Sequence, residues 1–207
     1  MAYTGGELNK LNGDYGISAP GKSVPVMKLI KNHQPKSKDE LYQLIEWHYK
    51  NNCFCNIKSQ GTVKDFGKNL YEAQIKEWQK YKHTLQECIQ WEYDLFITQS
   101  LKGALIENRA KEILQNKLQN LIVIEADGFV DEELRIDLIV CKHDLEMCGI
   151  QIKPETYKFM RQGVITYNKI ANTKWGKPVF YLFYNEKEEF INMDEVVGNI
   201  IKTIVAD

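Results

Sequence analysis

The spacing of hydrophobic residues changes along this chain of 207 residues, from a helical period to the shorter period of strands. The first 23 residues are rich in Gly, Asn and Ser, and they predict loop with at most a short helix. The segment VPVMKLIKN predicts one or two helical turns. A clearer helix is predicted after Ser37, because Glu40 stands in capping-box position. The apolar face of this helix would consist of Leu41, Leu44, Ile45 and His48.

Helix-forming residues dominate from Lys64 to about Thr98, where neither Pro nor Gly follows Gly67. We therefore expect one long helix with a broad apolar stripe. The stripe would consist of Trp78, Tyr81, Leu85, Cys88 and Tyr93. A second helix is predicted from Leu101 to about Leu118. Its expected core positions are Leu101, Ala104, Leu105, Ala110, Ile113 and Leu114.

Short β-branched segments then replace the helical pattern. LIVIEA (121–126), LRIDLIV (134–140) and GIQIK (149–153) predict three strands. A helix from Glu155 to about Ile170 is expected next, since Pro154 suits a first turn. PVFYLFYN (178–185) predicts a fourth strand, and a helix from roughly Asp194 to Val205 follows it. This order predicts one α/β domain, in which a mixed sheet is flanked by helices and preceded by an N-terminal helical layer over 1–98.

Composition favours a cytoplasmic protein. No apolar run approaches the ~20 residues of a membrane span, and the N-terminus lacks the layout of a signal peptide. The five cysteines, an odd number, favour free thiols over disulfides. Two groups have residue types that bind zinc, but neither has the paired spacing of a zinc site, so buried free thiols are the preferred explanation. The groups are His48 with Cys53 and Cys55, and Cys141 with His143 and Cys148.

Charge is unevenly distributed although the net charge is only −1. The stretch from Gly21 to Lys38 contains no acidic residue and five lysines: Lys22, Lys28, Lys31, Lys36 and Lys38. Such a stretch fits either a phosphate-facing edge or an ordinary solvated surface.

Polar residues interrupt two of the predicted strands. Asp137 lies among apolar residues, where an ionised carboxylate is costly unless it is paired or bound to a metal. Arg135, two positions earlier, offers a structural ion pair as one explanation. Gln151 and Lys153 project from one face of the next strand. If these strands are neighbours, the polar side chains converge at one end of the sheet, and Glu107 on the preceding helix could add a carboxylate.

This pattern suits metal-dependent hydrolysis of a phosphodiester. Mg²⁺ takes oxygen ligands, here from Asp137 and Glu107, while Lys153 orients the attacking water or stabilises the phosphoryl group. Glu112 is the alternative to Glu107, but it lies about 140° further around the helix, so only one of them would face the metal. Glu125 and Asp127 are alternatives to Asp137, although turn chemistry explains Asp127 in its ADG context.

The arrangement of Glu107, Asp137 and the Gln-x-Lys of residues 151–153 resembles the PD-(D/E)xK nuclease superfamily. It departs from the usual motif at Ile136, where proline is common, and at Gln151, where an acid is expected. The string IKPETYK (152–158) resembles the MjaI-type family of type II restriction endonucleases. Three other segments are similar to that family in the same order: YTGGELNKLNGDYGISAPGKSVPVMKLI, ELYQLIEWHY and LKGALIENRAKEIL.

The resemblance implies a restriction-endonuclease-like fold with DNA recognition and dimerisation in 1–98 and a catalytic core in 99–207. It implies Mg²⁺-dependent cleavage of double-stranded DNA by a homodimer, at a short and palindromic site, leaving 5′-phosphates. The catalytic residues it implies are Asp137, Lys153, Glu107 and Gln151, with Asp137, Glu107 and Gln151 as metal ligands. The expected DNA contacts are Asn9, Asn12, Ser18, Lys22, Lys28, Lys31, Thr156, Tyr157 and Lys158. The last three belong to the IKPETYK string, whose residues are expected either to contact DNA or to support the site.

Three alternatives remain open at this point. The same site could serve a repair or junction-resolving nuclease that cuts without a fixed sequence. The chain could also be a DNA-binding protein of the same fold that does not cleave, which the neutral Gln151 would favour. The last alternative is a structural α/β domain in which Asp137 is merely paired with Arg135.

Overall fold

A computed structural model describes residues 4–19, 23–51 and 59–206. The chain divides into two compact units, Met1–Leu105 and Ile106–Asp207. The boundary therefore falls inside a helix, seven residues after the end of the predicted N-terminal layer at residue 98.

The first unit is helical over its described residues. Its elements are α1 (Gly6–Tyr15), α2 (Val26–His33), α3 (Lys38–Asn51), α4 (Val63–Trp78), α5 (Leu85–Tyr93), a π-helical segment (Asp94–Gln99) and the start of α6 (Ser100–Lys117). The predicted start of α3 is confirmed, because the hydroxyl of Ser37 accepts the Glu40 N–H at 3.1 Å. The Glu40 carboxylate accepts the Lys36 N–H at 2.7 Å, and this bond fixes the backbone of Lys36 immediately before the N-cap residue Ser37.

The prediction of one helix from Lys64 to Thr98 is wrong. Gln79 ends α4 in the left-handed conformation, and a capping box between Thr84 and Glu87 begins α5. The Gln74 amide holds the intervening turn, since it donates to the His83 carbonyl at 3.0 Å and accepts the His83 N–H at 2.8 Å. The predicted apolar stripe required a continuous helix, so that prediction is wrong as well. Two of its members, Tyr81 and Leu85, are exposed.

The second unit contains the sheet, and it confirms the α/β prediction. Its elements after α6 are β1 (Ile122–Glu125), α7 (Gly128–Glu132), β2 (Leu138–Lys142), β3 (Leu145–Pro154), a 3-10 helix (Glu155–Phe159), α8 (Gln162–Thr173), β4 (Val179–Tyr184) and α9 (Met193–Ala206). The strands lie in the order β1-β2-β3-β4. β1, β2 and β3 pair antiparallel, whereas β3 and β4 pair parallel, so the sheet is mixed as predicted.

Two helical details of this unit differ from the sequence-based expectation. The 3-10 helix and α8 replace the single helix expected from Glu155 to Ile170, and α7 is an additional short helix. Met160, in extended conformation after the 3-10 helix, separates the two helices.

Apolar clusters lie on both faces of the sheet. One face packs against α6 and α9 through a cluster that includes Ala110, Leu114, Ile150, Leu182 and Ile200. The other face carries a smaller cluster of Ala126, Leu134, Ile136, Ile139 and Cys141, against which Trp175 and Val179 pack. On α6 the predicted core residue Leu105 is instead exposed, and Ile106 is buried in its place.

The described cysteines are buried free thiols: Cys88, Cys141 and Cys148. Among the described residues no group of three or more His, Cys, Asp or Glu could hold a metal ion, so the zinc alternative at Cys141, His143 and Cys148 is wrong. Cys53 and Cys55 lie outside the described residues. No helix within the described ranges has both the length and the apolar character needed to cross a membrane.

Candidate active site

Asp137 stands immediately before β2 rather than inside the strand as predicted. Its N–H donates to the Ile150 carbonyl at 2.9 Å. Its carboxylate Oδ2 accepts the Ile152 N–H at 2.5 Å. These two partners are the neighbours of Gln151 on β3. The contacts therefore fix the Asp137 carboxylate beside Gln151, at the end of the β2–β3 pairing.

The alternative ion pair between Arg135 and Asp137 is wrong. Arg135 has a φ of 59°, so the chain bends before the strand begins and the two residues do not share a strand face. The exposed Arg135 guanidinium lies 5.9 Å from the ring centroid of Tyr167, and it makes no ion pair with any described residue. An ion pair with Arg135 therefore does not explain why a carboxylate stands at position 137.

Gln151 and Lys153 share one face of β3, as predicted from their spacing. Gln151 is fully buried, and neither polar atom of its amide has a hydrogen-bond partner. Lys153 is half-buried, and its ammonium group forms no ion pair within the described part of the chain. Their parallel partners on β4 are Tyr181 and Phe183. This end of the sheet thus combines a carboxylate, an unsatisfied amide and a lysine that forms no ion pair with any described carboxylate.

Glu107 is half-buried on α6. Burial raises the pKa of Tyr184 at the end of β4, and the nearby carboxylates of Glu188, Glu107 and Asp137 raise it further. Glu107 and Asp137 therefore both lie close enough to act on the same hydroxyl group. Glu112, the alternative helix carboxylate, is exposed. Glu107 therefore stays the expected helix carboxylate.

The alternatives to Asp137 both have structural explanations. Glu125, the last residue of β1, forms an ion pair with Lys111 at 2.9 Å. Asp127 is exposed at the N-cap position of α7, where its carbonyl accepts the Val130 N–H at 3.1 Å. Both residues therefore have structural partners, unlike Gln151 and Lys153, whose polar side-chain groups have none among the described residues.

The residues after Lys153 form the 3-10 helix. Tyr157 is buried, stacks on Tyr181 with 5.8 Å between ring centroids, and accepts a hydrogen bond from the Asn168 amide at 3.0 Å. Its ring therefore supports β4, which fits the supporting role rather than contact with DNA. Thr156 and Lys158 are exposed, and the Lys158 ammonium lies 4.5 Å from the centroid of Phe183.

The predicted DNA contacts of the first unit fall into two groups. Asn9 on α1 and Lys28 on α2 are exposed, and Lys31 is half-buried. Asn12 and Ser18 instead stabilise their own loop, since the Asn12 side chain accepts the Ser18 N–H at 2.8 Å and the Ser18 hydroxyl donates to Glu92 at 2.6 Å. Lys22 lies outside the described residues.

Two polar residues of the second unit are absent from the predicted site. The Tyr181 hydroxyl donates to the side-chain oxygen of Asn172 at 2.6 Å, and the Asn172 amide donates to the Leu134 carbonyl at 2.8 Å. In a single sequence Asn172 has no distinguishing signal near the end of a helix. Tyr181 could have been identified only from the β3–β4 register, which places it beside Gln151.

The family model of the MjaI restriction endonuclease matches residues 7–200 of the chain. No curated protein and no solved structure matches. The matched range contains both the IKPETYK string and every residue of the candidate site, and it extends over nearly the whole sequence. The chain therefore belongs to the MjaI restriction endonuclease family.

Proposed function

We propose that this protein is a type II restriction endonuclease that uses Mg²⁺ to cleave double-stranded DNA at a short specific sequence. The observation that carries the proposal is the placement of Asp137, Gln151 and Lys153 at one end of the sheet in a chain of a restriction endonuclease family. A charged lysine and a carboxylate at that position suit the chemistry of a phosphodiester better than that of a neutral substrate.

The available donors fit Mg²⁺. This ion prefers oxygen ligands and binds through one or two carboxylates together with water and phosphate oxygens. Asp137 and Glu107 would supply the carboxylates. Gln151 would supply an amide oxygen that is buried without any other partner. Bound in this way, Mg²⁺ would lower the pKa of a coordinated water and neutralise charge on the phosphoryl group.

The protein side chains then have separate roles in hydrolysis. Lys153 orients the attacking water and stabilises the negative charge that develops on the phosphoryl oxygens. Water adds to phosphorus as the bond to the 3′-oxygen breaks, so the 3′-oxygen leaves as a hydroxyl and the phosphate stays on the 5′ end. The bond from the Ile152 N–H holds Oδ2 of Asp137 in place, which keeps the carboxylate oriented throughout.

A homodimer is the second part of the proposal. A palindromic site presents the same half-sequence twice, related by a two-fold axis, and two identical subunits match that symmetry. Each subunit would read one half and cut one strand. Exposed Asn9, Lys28, Thr156 and Lys158 are the candidate DNA contacts that the described surface supports.

The test is plasmid digestion by purified protein in Mg²⁺, followed by sequencing of the fragment ends. Discrete bands with a common end sequence and 5′-phosphates support the proposal. Preferential cutting of branched substrates without a fixed sequence would identify a repair or junction-resolving nuclease. Binding of DNA without any metal-dependent cutting would identify a protein that no longer cleaves.

Substitutions connect the activity to the proposed site. Asp137→Ala and Lys153→Ala should each reduce cleavage by about 100-fold or more, because each removes a group that stabilises the transition state. Binding of DNA, measured with Ca²⁺ in place of Mg²⁺, should be largely retained. Lys174→Ala removes an exposed lysine of the same unit and controls for loss of one positive charge. Substantial cutting by either site variant would overturn the assignment.

A further inference from the structure

The chain reaches Asp137 through a bend that is unfavourable by itself. Arg135 adopts a φ of 59°, in the left-handed region that residues with a side chain rarely adopt. Leu134 and Ile136 on either side are buried. Such a conformation persists only where surrounding contacts determine it.

A buried asparagine of α8 supplies two of those contacts, alongside the bonds from the Leu134 and Ile136 N–H groups to the carbonyls of Phe129 and Val130. Asn172 is 5% exposed, and its amide nitrogen donates to the carbonyls of Leu134 at 2.8 Å and Arg135 at 3.3 Å. Its side-chain oxygen accepts the Tyr181 hydroxyl at 2.6 Å, which fixes which way the amide points. Every polar atom of the Asn172 side chain therefore has a partner.

The same helix contacts both parts of the candidate site. One turn before Asn172, the amide of Asn168 donates to the Tyr157 hydroxyl at 3.0 Å. Tyr157 belongs to the string that follows Lys153, and its ring stacks on Tyr181. α8 is thus bonded to the bend that leads into Asp137 and to the segment that leaves Lys153.

We propose that Asn172 is a positioning residue, whose amide holds the Leu134–Arg135 bend and thereby sets where the Asp137 carboxylate stands beside Gln151. The inference rests on the proposed function, because it treats Asp137 as a ligand of the metal. Asn172 touches neither substrate nor metal in this role. Groups that orient metal ligands typically change metal affinity or activity by about 10- to 100-fold when they are removed.

The test measures how cleavage depends on Mg²⁺, together with Ca²⁺ binding by calorimetry as a readout separate from activity. Asn172→Ala should raise the half-saturating Mg²⁺ concentration by about 10-fold or more and weaken Ca²⁺ binding in parallel. Tyr181→Phe keeps the stacked ring but releases the amide, so its effect should be smaller and in the same direction. Thr173→Ala, the adjacent exposed residue of α8, is the matched control and should leave both values unchanged.

The outcomes separate the inference from the proposed function. A purely structural role lowers the melting temperature but leaves the Mg²⁺ dependence of the folded protein unchanged, and that result overturns the inference. If Asn172→Ala does not fold, an unaltered Mg²⁺ dependence in Tyr181→Phe overturns it instead. If Asp137→Asn cleaves like the wild type, or if the wild type neither cleaves nor binds Ca²⁺, the proposed function itself fails and the inference fails with it.

Discussion

The amide of Gln151 is fully buried, and neither its nitrogen nor its oxygen has a hydrogen-bond partner. A buried polar group without a partner costs about 1–3 kcal/mol. We predict that Gln151→Met, which nearly conserves volume, raises the free energy of unfolding in metal-free buffer by about that amount, while it lowers cleavage. Urea unfolding in EDTA measures the first effect and plasmid digestion the second.

Gln74 provides the matched control for Gln151. It is also fully buried, but its amide bonds to the backbone of Lys82 and His83. Gln74→Met should therefore lower the free energy of unfolding, since it leaves those backbone groups without a partner. If both variants are destabilised alike, Gln151 is satisfied in solution and the metal-ligand role loses its main support.

Glu92 on α5 is a buried carboxyl group of the first unit. Burial raises its pKa to about 7, and the hydrogen bond from Ser18 opposes the rise only in part. Because the folded pKa lies above the unfolded value of 4.5, stability is greatest below pH 4.5 and is lost as the pH rises through 7. Glu92→Gln cannot ionise and still accepts the Ser18 hydroxyl.

We predict that the stability of Glu92→Gln relative to the wild type increases by about 2–3 kcal/mol between pH 5 and pH 8. Urea unfolding of both proteins at several pH values measures the difference, in which the contributions of other titrating groups cancel. Ser18→Ala is the control, since it removes the hydrogen bond but leaves the carboxyl group to titrate. A difference that stays constant with pH would mean that Glu92 ionises at its ordinary pKa.

At the level of elements, α4 and α5 approach closely because a glycine stands at their contact. A Cβ atom on Gly67 would lie 2.6 Å from the Cα and 2.9 Å from the backbone nitrogen of Ile89. Backbone atoms cannot move aside as a flexible side chain can. Gly67→Ala should therefore separate the helices and lower the free energy of unfolding by about 1–3 kcal/mol or more.

Gly103 on α6 gives the comparison for this helix contact. Apart from its chain neighbours and the backbone of its own helix, no described atom lies within 4 Å of the Cβ position there, so the methyl group of alanine meets open space. Gly103→Ala should stabilise the protein by up to about 1 kcal/mol through its higher helix propensity. Thermal unfolding of both variants distinguishes the packing effect from the backbone effect. Equal shifts in melting temperature would contradict the close contact between α4 and α5.

Some helices and strands could be predicted from the sequence, and others could not. The four strands and α6 were predictable because strong apolar patterns mark them, although β2 begins four residues later and β3 four residues earlier than expected. The break between α4 and α5 was missed because helix-forming residues fill the turn, and the capping box at Thr84 and Glu87 went unrecognised. The site was harder still. The Gln-x-Lys spacing placed Gln151 and Lys153 on one face, but the bend at Arg135 is hydrogen-bonded by Asn172, which is distant in sequence.

At the scale of the whole molecule, net charge gives little attraction to DNA. The chain has a net charge of −1, so we expect DNA affinity to come from local sets of basic residues, for which the lysine-rich stretch from Gly21 to Lys38 is a candidate. Exposed Lys28, Lys36 and Lys38 of that stretch belong to the first unit. The candidate active site belongs to the second unit. Substitution of these lysines is therefore expected to weaken DNA binding, whereas substitution of Asp137 or Lys153 is expected to reduce cleavage.

The proposed dimer predicts a specific failure when one of its two sites is disabled. A mixed dimer of wild type and Lys153→Ala, purified through two different tags, has one functional site and should cut one strand of a plasmid site. The expected product on agarose is the nicked circle, whereas a doubly tagged dimer of two wild-type subunits should give the linear form. The Lys153→Ala subunit lacks the ammonium group proposed to stabilise the transition state, so it should not cut. Linear product from the mixed dimer at the wild-type rate would therefore mean that the wild-type subunit cuts both strands.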